Sequence, residues 1–442
     1  MSAGLVLIFI VLWIVAAFLI ARYAEKKGQS YAGFLLLSLV LSPVVGLIVA
    51  LIMGERMGGD GEAKAGAEPP SVSAGPAAPV DMGDAILKIE DLAVQFATED
   101  GVVKAVDGVS FEISPGETVG IVGESGSGKS VTNLSILGLT RADNATITGR
   151  ALFEGNDLVR MKDEDLRSIR GNDISMIFQD PLSSLHPFYK VGKQLIEAIQ
   201  VHRNVSDEEA TARAVELLGL VGIPDPERRI NEYPHEFSGG MRQRVMIAMA
   251  LTNDPKVLIA DEPTTALDVT TQAQILRLLE SLRQEFGMAV VMITHDLGVV
   301  AEVADRVLVM YAGKVVESGT LDELFYNPQH PYAWGLLGSL TRIDRPRTVR
   351  LAQIAGQPPS LVDTPEGCAF RPRCPHAFDK CVEMPPLEVR GGEADHADRC
   401  WLGAEQKRDL RIVDGEFGLE EPNVDPELAP GATGLNDEGG RR

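Results

Sequence analysis

The sequence predicts an α/β fold in which a phosphate-binding loop joins a buried strand to a helix. Three stretches predict it. Glu117–Ser130 (ETVGIVGESGSGKS) joins a short β-branched apolar run, Thr118–Val122, to a glycine-rich loop and then to a helix-compatible run, SVTNLSILGL. Lys256–Pro263 (KVLIADEP) is a second apolar run, ending in paired acids. Ala289–Thr294 is a third, ending at His295-Asp296. Buried strands and helix-periodic segments along one chain place it in the α/β class.

The loop carries the first chemistry. Gly123-Glu124-Ser125-Gly126-Ser127-Gly128-Lys129-Ser130 fits G-x-x-x-x-G-K-[ST]. Its glycines let backbone N–H groups turn inward around phosphate oxygens. Lys129 then reaches the β- and γ-phosphates, and the Ser130 hydroxyl ligates Mg²⁺. The helix opening at Lys129 adds the positive end of its dipole. The pattern alone also fits a glycine-rich turn; the strand before it and the helical run after it favour a nucleotide site.

With 442 residues the chain has room for two or three domains. A formal charge of −22 argues against nucleic acid as the main partner, because phosphate binding needs a basic face. All four cysteines fall between Cys368 and Cys400, which suggests a metal or cluster site rather than scattered disulfides. An ATP site implies a reducing compartment, which disfavours disulfides further.

Gly4–Ala21 is eighteen residues without a charge, close to the roughly 20 that span a bilayer. No basic segment precedes it and no Ala-x-Ala site follows, against a signal peptide. Ala32–Gly54 is a second uncharged run, interrupted by Pro43 and Gly46. Residues 1–57 are therefore expected to form a membrane helical hairpin. The loop between the runs carries Arg22, Lys26 and Lys27, which the positive-inside rule would place in the cytoplasm. The ATP site must itself be cytoplasmic, so both termini are placed inside and the loop outside; a hairpin lying in the interface is the alternative. Residues 58–83, rich in Gly, Ala, Pro and Glu, read as a flexible linker.

Ile86–Phe96 alternates like a half-buried strand, and Gly101–Ile113 reads as its hairpin partner. The run ITGRALFEGNDLV after the loop helix is further strand, and Gln179 follows the apolar run ISMIF. From about Val191 to Leu251 the chain is mostly helix-periodic; Ser206 and Glu209 make a capping box. Phe237-Ser238-Gly239-Gly240-Met241 precedes another helical run, an anion-binding helix N-terminus like the first. In KVLIADEP the acid at the strand end can hold Mg²⁺ through water, and the next can orient an attacking water.

This order of motifs resembles the ATP-binding subunits of ABC transporters over roughly Ile86–Pro331. The resemblance implies a P-loop NTPase of ABC ATPase type, with a RecA-like core, an antiparallel β subdomain and an α-helical subdomain, over residues 84–335. It implies that Phe96 stacks on adenine. Gly123, Glu124, Ser125, Gly126, Ser127, Gly128, Lys129, Ser130 and the adjoining Val131 form the Walker A site. Gln179 is the Q-loop residue that senses Mg²⁺ and the membrane partner. Ser238, Gly239 and Gly240 form the signature that caps the nucleotide of an opposing subunit. Asp261 is the Walker B acid on Mg²⁺, Glu262 the catalytic carboxylate, Asp268 the D-loop acid and His295 the switch histidine. Phe237 and Met241 depart from the commonest signature, LSGGQ, in a way familiar from peptide importers. His186 stands where those importers more often carry Asn. A lone histidine is ordinarily structural, and that reading is held for His186, His202 and His235.

Residues 336–403 hold Cys368, Cys374, Cys381 and Cys400, separated by five, six and eighteen residues. Four thiolates suit a structural Zn²⁺ or an iron–sulfur cluster, and the spacing chooses neither. HPYAWGLLGSL, GQPPSL and GCAFRPRCPHAFDKC resemble the C-terminal extension of oligopeptide/dipeptide importers, which implies a [4Fe–4S] cluster on the four thiols. Residues 404–442 read as an acidic, disordered tail. The resemblance implies ATP hydrolysis driving import of di- or oligopeptides at the cytoplasmic face of a bacterial inner membrane. It implies as partners two permease subunits, a second ATPase subunit closing head to tail on this one, and an external binding protein. Import of nickel or another small solute is the nearer alternative, and a non-transport ABC ATPase the more distant one. The cargo is not encoded in this chain.

Overall fold

The computed structural model describes residues 82–180, 184–265, 267–339, 354–389 and 396–413. The chain enters through two long antiparallel strands, β1 (Leu87–Thr98) and β2 (Gly101–Ile113), and the expected hairpin is observed. β3 (Thr118–Val122) is buried throughout and leads into α1 (Lys129–Ile136). β4 (Ala145–Phe153) and β5 (Asn156–Asp157) return to β1, completing an antiparallel sheet of order β2-β1-β4-β5. α2 (Asp163–Ile169) then passes to β6 (Ile174–Ile177).

The predicted helix-rich stretch follows as α3 (Val191–Gln200), α4 (Asp207–Leu220) and α5 (Gly239–Ala250). Ser206 caps α4 with Glu209 in the expected reciprocal box: Ser206 Oγ accepts the Glu209 N–H, and Glu209 Oε2 accepts the Ser206 N–H at 2.9 Å. The chain then re-enters the core through β7 (Val257–Asp261), α6 (Val269–Phe286), β8 (Ala289–Thr294), α7 (Leu297–Val303) and β9 (Arg306–Tyr311). β9 turns directly into β10 (Lys314–Thr320), followed by α8 (Leu321–Tyr326) and α9 (Pro331–Gly338).

Strands β9-β3-β8-β7-β6 are parallel neighbours, which makes the core doubly wound. Their side chains sort by period two. Val257 and Ile259 face the side shared with the antiparallel sheet, and Leu258 and Ala260 face the helical subdomain. On β8, Val291 and Ile293 take the first side and Val290 and Met292 the second. Strands buried on both faces need continuous apolar sequence, which is why these runs were legible.

The C-terminal extension is part of this sheet. β11 (Glu388–Val389) and β12 (Ala397–Asp398) extend it beyond β10, with Glu317 opposite Asp398. α10 (Ala404–Val413) closes the described chain. The expectation of a disordered tail from 404 is thereby corrected at its start: Lys407 is fully buried, its ammonium 2.6 Å from Asp398 Oδ1. Nearby, buried Glu317 accepts the backbone N–H groups of Gln329 and His330, each at 2.7 Å, and stands 2.8 Å from His396 Nε2. Burial pushes His396 down, but the Glu317 carboxylate outweighs it and holds the imidazole above its ordinary pKa. Burial pushes His330 down to about 3, so it stays neutral.

The expected fold class is corrected in one part. The transmembrane hairpin over residues 1–57 lies outside the described residues, and among the described residues no helix is long and apolar enough to cross a membrane. The fold class is therefore the α/β P-loop ATPase core with its antiparallel β and α-helical subdomains and the Cys-containing extension, without the hairpin. Residues 58–81 of the expected linker also lie outside the described residues.

Candidate functional site

The phosphate loop bridges β3 and α1, and its glycines are there for contact as well as for turning. Gly123 has φ +152° and Gly128 φ +102°, both in the region that favours glycine. A Cβ on Gly123 would strike the Met310 carbonyl oxygen, and one on Gly128 the Ala105 carbonyl oxygen. Lys129 is buried within the loop, its ammonium donating to Gly123 O at 2.7 Å and Glu124 O at 3.0 Å. Burial lowers its pKa, against the pull of Glu262, Asp261 and Glu124. Ser127 is also buried, and its hydroxyl has no partner among the described residues, a polar atom open to a ligand in the loop.

Two parallel strands aim their C-terminal ends at this loop. β7 delivers Asp261, whose Oδ1 accepts from Ser130 Oγ at 3.1 Å. Burial raises the Asp261 pKa, and Glu262 adds to the rise while Ser130 and Lys129 oppose it. These two oxygens suit Mg²⁺, which takes one or two protein oxygens and completes its shell with water and substrate phosphates.

The next residue, Glu262, sits at φ +48°, and three side chains hold its carboxylate. Gln179 Nε2 donates to Oε2 at 2.8 Å and Thr265 Oγ1 donates to the same oxygen at 2.8 Å. His295 Nδ1 lies 3.0 Å from Oε1. Burial alone would raise the Glu262 pKa; the bonds from His295 and Thr265 outweigh it and hold the acid below its ordinary value. The result is an ionised carboxylate beside a phosphate cradle.

Six expected residues therefore gather: Lys129, Ser130, Gln179, Asp261, Glu262 and His295. The signature stands apart. Ser238 caps α5, accepting the Met241 N–H at 3.4 Å, and no hydrogen bond among the described residues joins Ser238, Gly239 or Gly240 to the phosphate loop. Gly239 is open: a Cβ there would meet nothing within 4 Å. Asp268 caps α6, taking the Thr271 N–H at 3.0 Å and its hydroxyl at 2.7 Å. Phe96 is half-buried on β1 and leans on the core beneath the antiparallel sheet; Val131 does the same from α1.

Sequence reasoning missed what holds the loop from outside. Tyr332 of α9 accepts the Glu124 N–H at 2.8 Å, and Arg373 of the extension grips the Glu124 carboxylate at 2.6 and 3.0 Å. Thr265 on Glu262 was also missed; only its place three residues after that acid hinted at it.

Comparison with known proteins now bears on the geometry. A family model described as "ABC transporter" matches residues 106–265, and one described as "Oligopeptide/dipeptide transporter, C-terminal region" matches residues 316–381. The chain is 52% identical over 318 residues to the oligopeptide transport ATP-binding protein OppD of Bacillus subtilis (strain 168), covering 72% of this chain and 88% of that one. It is 51% identical over 332 residues to the dipeptide transport ATP-binding protein DppD of the same organism, covering 75% and 98%. With OppD of Escherichia coli (strain K12) it shares 53% identity over 305 residues, covering 69% and 90%.

This chain belongs to the ATP-binding proteins of ABC transporters. The expected resemblance, including its oligopeptide/dipeptide branch, is borne out.

As a member of this ATP-binding family it calls for ATP and Mg²⁺, and the residues just described suit both. The metal expected at the thiols is a different matter. Cys368, Cys374, Cys381 and Cys400 line one cavity of about 20 Å³, room for about one water. Among the described residues no group of three or more His, Cys, Asp or Glu side chains is placed to hold a metal ion. The zinc expectation is corrected on that ground, since a tetrahedral site needs four ligands within about 2.3 Å of one ion. The geometry as it stands does not support the cluster either. Burial raises all the thiols whose pKa is shifted: Cys368, Cys374 to about 11 and Cys400 to about 12.

Proposed function

We propose that Glu262 is the catalytic carboxylate in an ATPase that energises peptide import, acting on a nucleotide bound at Gly123–Ser130. The chain is the ATP-hydrolysing subunit of an oligopeptide/dipeptide importer. Such a subunit works with permease partners and a substrate-binding protein. The observation that carries the residue assignment is the ionised Glu262 carboxylate, held by Gln179, Thr265 and His295 beside Lys129 and the Ser130–Asp261 pair.

Hydrolysis of a phosphoanhydride by water demands positioning and charge stabilisation more than covalent chemistry. Glu262 orients the attacking water and draws on its proton. Gln179, Thr265 and His295 hold the carboxylate in place, and the bonds from His295 and Thr265 keep it ionised. Lys129 leaves the Gly123 and Glu124 carbonyls for the phosphates, and the loop N–H groups take the remaining charge. Ser130 and Asp261 would hold Mg²⁺, which supplies charge neutralisation on the β- and γ-phosphate oxygens.

The separation of Ser238–Gly240 from the chain's own loop supports a head-to-tail pair of ATPase subunits, each signature capping the other's nucleotide. In that arrangement Phe96 stacks on adenine, and Asp268 lies near the subunit boundary. Two permease subunits hold the pair at the cytoplasmic face of the membrane. Substitution of Glu262 by Gln tests the assignment. Because a positioned base contributes about 10²–10⁴-fold, E262Q is expected to lose turnover by that factor while retaining MgATP and accumulating as a closed pair. Near-wild-type hydrolysis would overturn it.

The [4Fe–4S] cluster joins the proposal on one support, the convergence of four thiols on a single cavity. Iron and acid-labile sulfide measured after anaerobic purification test it. Protein free of both, before and after reconstitution, would end the idea.

A further inference from the structure

The phosphate loop is held by residues that lie far along the chain from the nucleotide-binding motifs. Glu124, the second residue of the loop, is the point of attachment. Its carbonyl oxygen accepts Lys129 Nζ at 3.0 Å and the Ser127 N–H at 3.2 Å, so the orientation of this one peptide positions two groups that face the phosphates. Its N–H donates to Tyr332 Oη at 2.8 Å, from a fully buried tyrosine on α9. Its carboxylate receives Arg373 in a two-pronged fork, Nη1 to Oε2 at 2.6 Å and Nη2 to Oε1 at 3.0 Å.

Arg373 is built for that position. Its side chain is 5% exposed, against 28% for Glu124. Nε donates to Ala355 O at 2.9 Å, and the guanidinium lies over the rings of Tyr311 and Phe370 at 5.8 and 6.0 Å. Every nitrogen of the guanidinium has an acceptor, and two aromatic faces fix its plane. Tyr311 and Tyr332 also pack against one another, tilted at 57° with ring centroids 4.6 Å apart, so the two supports of Glu124 share one aromatic wall.

We propose that Arg373 and Tyr332 are positioning residues for ATP hydrolysis: Arg373 from the C-terminal extension and Tyr332 from α9 together hold the phosphate loop in its nucleotide-binding shape through Glu124. Arg373 does so in two ways. It fixes the Glu124 peptide, and it neutralises a carboxylate that would otherwise stand beside the nucleotide phosphates. Neither residue touches the substrate. The proposal rests on the reading that ATP binds at Gly123–Ser130.

Equilibrium binding of MgATP to the full-length chain, by calorimetry, tests it, with steady-state hydrolysis measured alongside. R373Q is expected to raise the Kd for MgATP about tenfold, within the range of coupling between linked sites, and to raise KM more than it lowers kcat. R373K keeps the charge but not the fork and is expected to fall between R373Q and wild type. E124Q combined with R373Q removes the unpaired charge together with its partner, and its Kd is expected to fall clearly below that of R373Q alone. A purely structural arginine would give no such rescue. Should R373Q fail to fold, Y332F decides: it leaves the guanidinium in place and removes only the acceptor of the Glu124 N–H, and a raised Kd supports the proposal. R373Q with a Kd within twofold of wild type, a double variant no better than R373Q, or Y332F without effect where R373Q does not fold, each overturns it. K129A separates the two layers: if it binds MgATP as well as wild type, the loop is not the nucleotide site and that reading falls instead.

Discussion

Lys407→Met isolates how firmly the extension is built into the ATPase sheet. Lys407 and Asp398 are 0% and 1% exposed at their side chains and 2.6 Å apart, and Asp398 lies on β12, the strand that pairs with β10. Asp398 Oδ2 has no partner among the described residues, so the second oxygen offers no compensation when the ammonium is removed. Leaving a charge buried without its partner costs roughly 3–5 kcal/mol. At about 1.4 kcal/mol per factor of ten, that is roughly 10²–10³·⁵ in the opening equilibrium of this edge. Amide hydrogen exchange followed along β12 and α10 reads that equilibrium directly. K407M is expected to speed exchange there by that factor while β3, β7 and β8 keep their protection. K407M combined with D398N is expected to recover most of the loss, because neither charge is then stranded. Exchange in K407M within about fivefold of wild type would refute the argument, since fivefold is only about 1 kcal/mol.

Three further outcomes follow from the geometry. His396 is held above its ordinary pKa in the folded chain, so its pairing with Glu317 contributes fully below about pH 6.5 and is lost as pH rises through the raised value; H396Q should flatten that dependence in exchange measured at β12. Thr265→Val removes one of the bonds that hold Glu262 below its usual carboxylate range, so the acid limb of kcat should move to higher pH, and an unmoved limb would dissociate Thr265 from the base. Gly128→Ala drives a methyl group against the Ala105 carbonyl at φ +102°, and MgATP affinity should fall by more than about tenfold in direct titration.

What was legible in the sequence was what local chemistry repeats. The buried parallel strands read out because each is apolar on both faces, and the Ser206 box read out because its two partners sit three residues apart. Lys129, Ser130, Asp261, Glu262, Gln179 and His295 were named from motif order, and they converge because all sit at or just beyond the C-terminal ends of β3, β6, β7 and β8. What was not legible depends on pairings across long stretches of chain. β11 and β12 have two residues each, too short for any period to register. Ala404–Val413 reads as polar tail because its anchor is a lysine, whose burial makes sense only opposite Asp398. Arg373 sits 249 residues from Glu124, a separation that no local pattern bridges.

The same long-range pairings connect the extension to the phosphate loop. β10 is bonded on one side to β9, the strand whose Met310 carbonyl occupies the space a Cβ on Gly123 would need, and on the other to β12. Tyr311 closes β9 and carries Arg373 on its ring, while Tyr332 reaches Glu124 from α9. A displacement of the extension therefore has two routes to Glu124 and one to Gly123, all through packed or hydrogen-bonded groups rather than through a flexible linker. Packed groups of this kind move between discrete arrangements, not by degrees. The Gly123–Ser130 loop is fixed on one side by its own strand and helix and on the other by α9 and the segment that carries the four thiols.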